Sequence, residues 1–379
     1  MKNQSSKFKN RPSLKQPKVA IVHDWLYGGG AEKVVLALHQ MYPDAPIYTS
    51  YCTKQWQERL NNKVITGYLN KWPFNKIRKF IPFFRIWWFE SLNLTEYDIV
   101  ISSSGAEAKG IKKLKPGAVH INYCHAPTHY YWSRYNEYIK QPGFGIFNPL
   151  ARLGLRVLVG PLRSWDFKAA QRPNYIIANS TNIQNQIRKY YKRSSVVIHP
   201  PVMVEKFIPN GATKHKKSGL VITGRQVPYK RIDLAIKAAI KTKQQLSVIG
   251  NGPLHNNLVK LAADSQYISF YTNVSDNELV SMLQNAELFI FPGVEDFGIA
   301  PVEALAAGTP VVAYKKGGSL DYINEKNGLF FEAQNLNELS TAILKALQTK
   351  YSIPDVSKSS LKFSETTFKQ KFSEFLKTI

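Results

Sequence analysis

The sequence predicts an α/β protein made of two Rossmann-like domains in tandem. From Lys18 onward, short apolar runs alternate with amphipathic helical windows, the rhythm of strand–helix–strand units and hence of parallel sheet. That rhythm breaks once, at Pro200-Pro201 and the charged, turn-forming stretch 207–219, so a domain boundary belongs there. A chain of 379 residues that is 44% hydrophobic can fill more than one core.

In order, the first series of strands is expected at 19–23, 98–102, 118–123, 175–179 and 195–199. The second is expected at 220–223, 245–249, 267–271, 287–291, 310–314 and 328–331. The domain plan is a flexible basic tail over 1–17, a first domain over 18–208 and a second over 209–359. A final helical window over about 360–379 is expected to return to the first domain. No internal repeat is visible.

The tail is polar and lysine-rich, unlike a secretory signal, and no later run reaches about 18 apolar residues. A cytoplasmic protein is expected. Cys52 and Cys124 are too few for a disulfide framework and are expected as free thiols. The net charge of +25 calls for an anionic partner. The sequence carries no helix-turn-helix, zinc-finger or RNA-binding motif, so no nucleic-acid partner is expected.

An anionic membrane fits the charge better, because 71–89 mixes Trp and Phe with Lys and Arg. At helical spacing Phe74, Ile77, Ile81, Phe84 and Trp88 share a face, bordered by Arg78 and Arg85, with Lys76 and Lys79 opposite and Pro82 able to split the segment. Core packing and lipid contact are both compatible with such a stripe. The basic, apolar stretch 151–168, with Arg152, Arg156, Arg163 and Trp165, could share the same surface.

The chemistry is concentrated at strand ends. Glu295 and Glu303 stand in Glu295-Asp-Phe-Gly-Ile-Ala-Pro-Val-Glu303, after a buried strand and across the start of an Ala-rich helix that Gly308 ends. Carboxylates at the carboxyl edge of a parallel sheet can grip neighbouring hydroxyls of one ligand. Arg225 and Lys230 follow the strand 220–223, where two cations can clamp a diphosphate. Gly28, Gly29 and Gly30 lie between strand 19–23 and a helix, where backbone N–H groups can approach an anion. Their spacing matches neither the dinucleotide fingerprint nor a P-loop. His125 follows strand 118–123 in Asn122-Tyr-Cys-His-Ala-Pro-Thr-His-Tyr-Tyr-Trp132; zinc binding by Cys124, His125 and His129 lacks a fourth ligand. No metal site is expected.

Taken together, the Glu295–Glu303 motif, Arg225 with Lys230, the glycine loop and His125 resemble the retaining glycosyltransferases of family 4. The likeness runs through nearly the whole chain from about Lys18. It implies the GT-B fold, two Rossmann-like domains facing each other across a nucleotide-sugar cleft, with the C-terminal helix packing back on the first. Tyr-Cys-His-x-Pro followed by Tyr-x-Trp looks most like bacterial mannosyltransferases that build lipid-linked O-antigen or related polysaccharides. Those relatives tend to carry arginine where this chain has His129.

The resemblance implies that Glu303 binds the donor ribose, Glu295 the hydroxyls of the transferred sugar, and Arg225 and Lys230 the diphosphate. The N–H groups of Phe297, Gly298 and Ile299, and the loop Gly28, Gly29, Gly30, would lie near sugar and phosphate. His125 would contact the donor sugar or support the reacting centre, while Gly252 and Asn273 would sit in segments lining the base pocket. The implied activity is metal-independent hexose transfer, first mannose from GDP-mannose, to a lipid-linked saccharide or glycolipid on the inner face of the cell membrane, with a nucleotide-sugar substrate and no cofactor. A UDP-sugar transferase of the same family and a GT-B nucleotide-sugar epimerase are the alternative enzymes, and a charge-driven binding module is a third class.

Overall fold

The computed structural model describes residues 17–78, 81–140, 145–209 and 217–379; all but the last residue of the tail expected over 1–17, Lys79 and most of the expected domain boundary lie outside the described residues. The first domain holds a seven-stranded sheet whose order is Val64–Thr66, Ile47–Thr49, Val19–His23, Ile99–Ser104, Val119–Cys124, Tyr175–Ala178 and Val196–Val197. Its pairings are all parallel. The second holds six strands in the order Ile268–Tyr271, Leu246–Ile249, Leu220–Thr223, Leu288–Phe291, Val311–Tyr314 and Gly328–Phe331, again parallel.

Both sheets are covered on two faces, which is why their strands read as continuous apolar runs rather than alternating ones. Ile21, Ile101 and Ile121 pack on one side with Val34, Val35 and Leu38 of the helix Ala31–Met41. Ala20, Val22 and Val100 pack on the other with Trp88, Phe89 and Ile111. In the second domain Val221, Phe289 and Val311 meet the helix Ile299–Ala306, and Leu220, Ile222 and Val248 meet Ile232–Thr242.

The C-terminal helix Glu365–Leu376 returns to the first domain. Phe368 and Phe372 enter the core of Ile21 and Ile121, and the Phe368 ring lies 5.9 Å from that of Tyr123. Both cysteines are buried free thiols, and burial pushes Cys124 up to about 12. Among the described residues no helix is long and apolar enough to cross a membrane.

The segment 71–89 divides between two environments. It forms the helices Phe74–Ile77 and Pro82–Ser91, with Pro82 opening the second. Ile86, Trp88 and Phe89 are buried, whereas Trp72 and Trp87 are 79% and 60% exposed. Arg85, expected on the border of a lipid-facing stripe, is instead buried: its guanidinium grips Glu107 through Nε–Oε2 at 3.0 Å and Nη2–Oε1 at 2.7 Å. Trp88, expected on the same face, fills the core beneath the sheet.

A second buried charge pair lies alongside. Lys109 Nζ stands 2.6 Å from Asp166 Oδ1, and Asp166 also accepts hydrogen bonds from Thr128, Trp132 and Tyr191. Together they fasten the segment after His125 to the helix Asn148–Ala170.

Candidate functional site

Each sheet has one point where strand order reverses, between Val19–His23 and Ile99–Ser104 in the first and between Leu220–Thr223 and Leu288–Phe291 in the second. Ligands of open α/β sheets bind outside the carboxyl ends of strands at such points. Here the two points face one another. A cleft of about 650 Å³ is lined from one side by Gly29, Gly30, Lys33 and His125, and from the other by Lys230, Glu295, Phe297 and Glu303.

Local chain chemistry sets these side chains in place. Gly224 has φ +131°, and a Cβ there would come within 2.6 Å of Lys230 Nζ, so glycine lets the lysine fold back over the strand end. Gly30 permits a close approach between domains, since a Cβ would stand 2.9 Å from Ile299 Cδ1. The helices Ala31–Met41 and Ile299–Ala306 therefore meet with their N-terminal ends at the cleft, and both ends are partially positive. Asp24 fixes the first loop by accepting from the N–H groups of Gly105, Ala106 and Ala108 at 2.7, 3.0 and 2.8 Å.

Charges in the cleft alternate. Lys230 Nζ donates to Glu295 Oε1 at 2.6 Å, and Lys33 Nζ reaches across the domains to Glu303 Oε1 at 2.8 Å. Burial pulls the Lys230 pKa down, but Glu295, Tyr229 and Glu303 outweigh it and leave the ammonium held above its ordinary value. Nearby, burial favours neutral Asp296, yet His129 at 2.7 Å and Arg134 hold it below the ordinary carboxylate range. Arg134 also spans the domains, donating from Nη2 to Val294 O at 3.0 Å and lying 4.2 Å over the Tyr229 ring.

His125 is different in character. Its Nε2 bonds Ser103 Oγ at 2.7 Å, its carbonyl accepts from Asn179 Nδ2 at 2.9 Å, and burial with His23 nearby pushes it down to about 3. The imidazole is neutral at physiological pH. It can exchange hydrogen bonds with a sugar hydroxyl without adding charge.

Of the residues expected at the site, His125, Glu295, Lys230, Gly29, Gly30, Phe297, Gly298, Ile299 and Glu303 line this one cleft. Arg225, expected beside Lys230, is exposed and does not line it, because neighbouring Gln226 is buried and bonds inward to Gly250 O and His255. Gly28 lies off the lining too: its N–H, like that of Tyr27, is taken by the Glu32 carboxylate, at 2.9 and 3.4 Å. Gly252 packs against the backbone of Gln226, where a Cβ would meet its N at 2.6 Å, and Asn273 is exposed.

Sequence reasoning missed Lys33, Arg134, Asn179 and Asp296. For Lys33 one signal was present: a cation in the first helical turn opposes the helix dipole and asks for a reason. Cys124, His125 and His129 do not converge. Among the described residues no group of three His, Cys, Asp or Glu side chains is placed to hold a metal ion.

Comparison with known proteins agrees with this geometry. Residues 28–206 match the family described as Glycosyltransferase Family 4, and residues 203–369 match the family described as Glycosyl transferases group 1. The chain belongs to the family 4 glycosyltransferases. It is 30% identical over 171 residues to a GDP-mannose-dependent monoacylated alpha-(1-6)-phosphatidylinositol monomannoside mannosyltransferase of Corynebacterium glutamicum, covering 38% of this chain and 45% of that protein. It is 26% identical over 381 residues to the Alpha-1,3/1,6-mannosyltransferase ALG2 of Kluyveromyces lactis, covering 82% and 72%. The chain thus spans about half the length of some of the curated relatives it matches.

Among solved structures, Anabaena HepE in complex with UDP superposes with a TM-score of 0.69 at 16% identity, over 96% of this chain and 100% of that one. Sucrose-phosphate synthase of Thermosynechococcus elongatus gives 0.68 at 16%, over 96% and 99%. At that identity the likeness concerns the fold, and the fold is GT-B.

Proposed function

We propose that this family 4 protein transfers a hexose, first mannose from GDP-mannose, with retention of configuration to a lipid-linked saccharide or glycolipid at a membrane surface. The observation that carries the reading is the interdomain cleft in which Glu295, Glu303, Lys230 and a neutral His125 stand together. Glu303 takes the ribose hydroxyls and Glu295 those of the transferred sugar. Lys230 and the two helix N-termini take the diphosphate, while His125 meets the sugar.

Breaking the sugar–phosphate bond builds negative charge on the departing nucleotide and oxocarbenium character on the sugar. Preorganised cations and N–H groups stabilise that charge where it forms. In our reading the acceptor hydroxyl attacks on the face that the diphosphate leaves, and the departing phosphate oxygen receives its proton. No carboxylate is assigned as a covalent nucleophile, and no metal ion is assigned a step.

The test is nucleotide release from GDP-mannose and from UDP-sugars, with and without a lipid-linked acceptor fraction. Acceptor-dependent release of GDP, with the sugar appearing in α linkage by proton NMR, is the expected result. Release that ignores the acceptor and frees the sugar would point to an epimerase or hydrolase. Absence of release from any nucleotide sugar would sink the reading.

The membrane part rests on exposed apolar side chains. Trp72, Ile77, Phe84 and Trp87 are exposed on one segment, and Leu150, Leu153 and Val157 on the helix Asn148–Ala170, with exposed Lys71, Lys76 and Arg156 among them. The two segments pack together through Ile86 and Leu162. Aromatic and basic side chains of this kind suit the headgroup layer of an anionic bilayer. Changing Trp72 and Trp87 to Ser is expected to lower flotation with anionic vesicles roughly tenfold while leaving the melting temperature near wild type. Unchanged flotation would leave the patch without a lipid role.

A further inference from the structure

We propose that Lys33 binds the donor's diphosphate, supplying from the first domain the second cation that accompanies Lys230 of the other. This rests on the nucleotide-sugar reading of the same cleft. The four charged groups, Lys33, Glu303, Lys230 and Glu295, form two ion pairs whose members stand close enough for Glu303 to act on Lys230 as well. A ligand whose hydroxyls occupy both carboxylates leaves two ammonium groups facing whatever anion joins those hydroxyls. In a nucleotide sugar that anion is the diphosphate, which lies between ribose and hexose.

Three further observations favour Lys33 in this role. It sits at the third position of the helix Ala31–Met41, directly after Gly29 and Gly30, so its ammonium adds to an end already bearing partial positive charge. A cation there opposes the helix dipole, and its 28% exposed side chain is held by a carboxylate 270 positions away. Glu32, by contrast, is buried and caps Tyr27 and Gly28, so the loop's remaining donors and Lys33 face the cleft together.

The inference also accounts for the position of Arg225. With that side chain exposed and off the cleft lining, Lys230 is the second-domain cation that lines the cleft among the described residues. Lys33 completes the pair from the opposite domain, so diphosphate binding and closure of the cleft become one event.

Calorimetric titration of the full chain with GDP, UDP, guanosine and uridine separates the alternatives. For whichever diphosphate the wild type binds, Lys33→Met should weaken binding about tenfold or more, and weaken the matching nucleoside less than about twofold. Lys33→Arg should restore most of the loss. Equal losses for diphosphate and nucleoside would show that Lys33 acts only by holding Glu303 for the ribose, and unchanged binding of both would also overturn the proposal. Lys33→Gln gives the same comparison if the methionine variant does not fold. Failure of the wild type to bind either diphosphate would instead remove the nucleotide-sugar reading itself.

Discussion

Glu295→Ala and Lys230→Ala are each expected to lower turnover about tenfold or more, equivalent to at least about 1.4 kcal/mol of lost transition-state binding. The two side chains touch at 2.6 Å and are 20% and 14% exposed, so removing either leaves a charge poorly solvated and misplaced. The losses should differ in kind. On the proposed roles, the Lys230 variant deprives the departing nucleotide of a cation, and kcat should fall. On the same proposed roles, the Glu295 variant deprives the sugar of a hydroxyl partner, and both kcat and KM should change. The double variant should cost less than the sum, because the pair acts as a unit. Steady-state rates with saturating acceptor provide the readout; near-normal rates in both variants would remove the site.

Asp166→Ala should cost about 3–5 kcal/mol of stability, measured by urea unfolding. Asp166 is fully buried and receives Lys109 at 2.6 Å, Trp132 Nε1 at 2.7 Å, and Thr128 Oγ1 and Tyr191 OH at 2.8 Å each. Taking the carboxylate away strands the Lys109 ammonium, itself 1% exposed, with the Ala106 carbonyl and the Thr128 hydroxyl as its remaining partners. Asp166→Asn keeps shape and some hydrogen bonds and should lose less. A cost below about 1 kcal/mol for the alanine variant would mean that water reaches the lysine. Because Thr128 and Trp132 flank His129, loss of this anchor should also loosen the cleft wall.

Much of this arrangement was legible from local patterns. Glu295, Glu303 and Lys230 could be placed because each follows a clear apolar strand, and the strand ends at a topological reversal gather by construction. The short strands Ile47–Thr49 and Val64–Thr66 escaped detection, since three residues are too few to establish a period. Arg85 looked like the border of an amphipathic stripe, and helical spacing could not reveal that Glu107, 22 residues on, would draw it into the core. Arg225 lies off the cleft lining for a related reason. Spacing put it in the right loop, but the direction of its side chain depends on buried Gln226. Lys33 and Glu303 are 270 positions apart, and a contact of that range exists only once two domains have docked.

The return of the C-terminal helix has a mechanical consequence. The chain crosses between domains twice, and the crossings touch: Val202 N–H donates to Phe363 O at 2.9 Å and Val202 bridges Ser364 in parallel. An isolated bridge of this kind ties the two connections into one joint instead of leaving them as separate tethers. Any relative rotation of the two domains is therefore expected to carry both connections together.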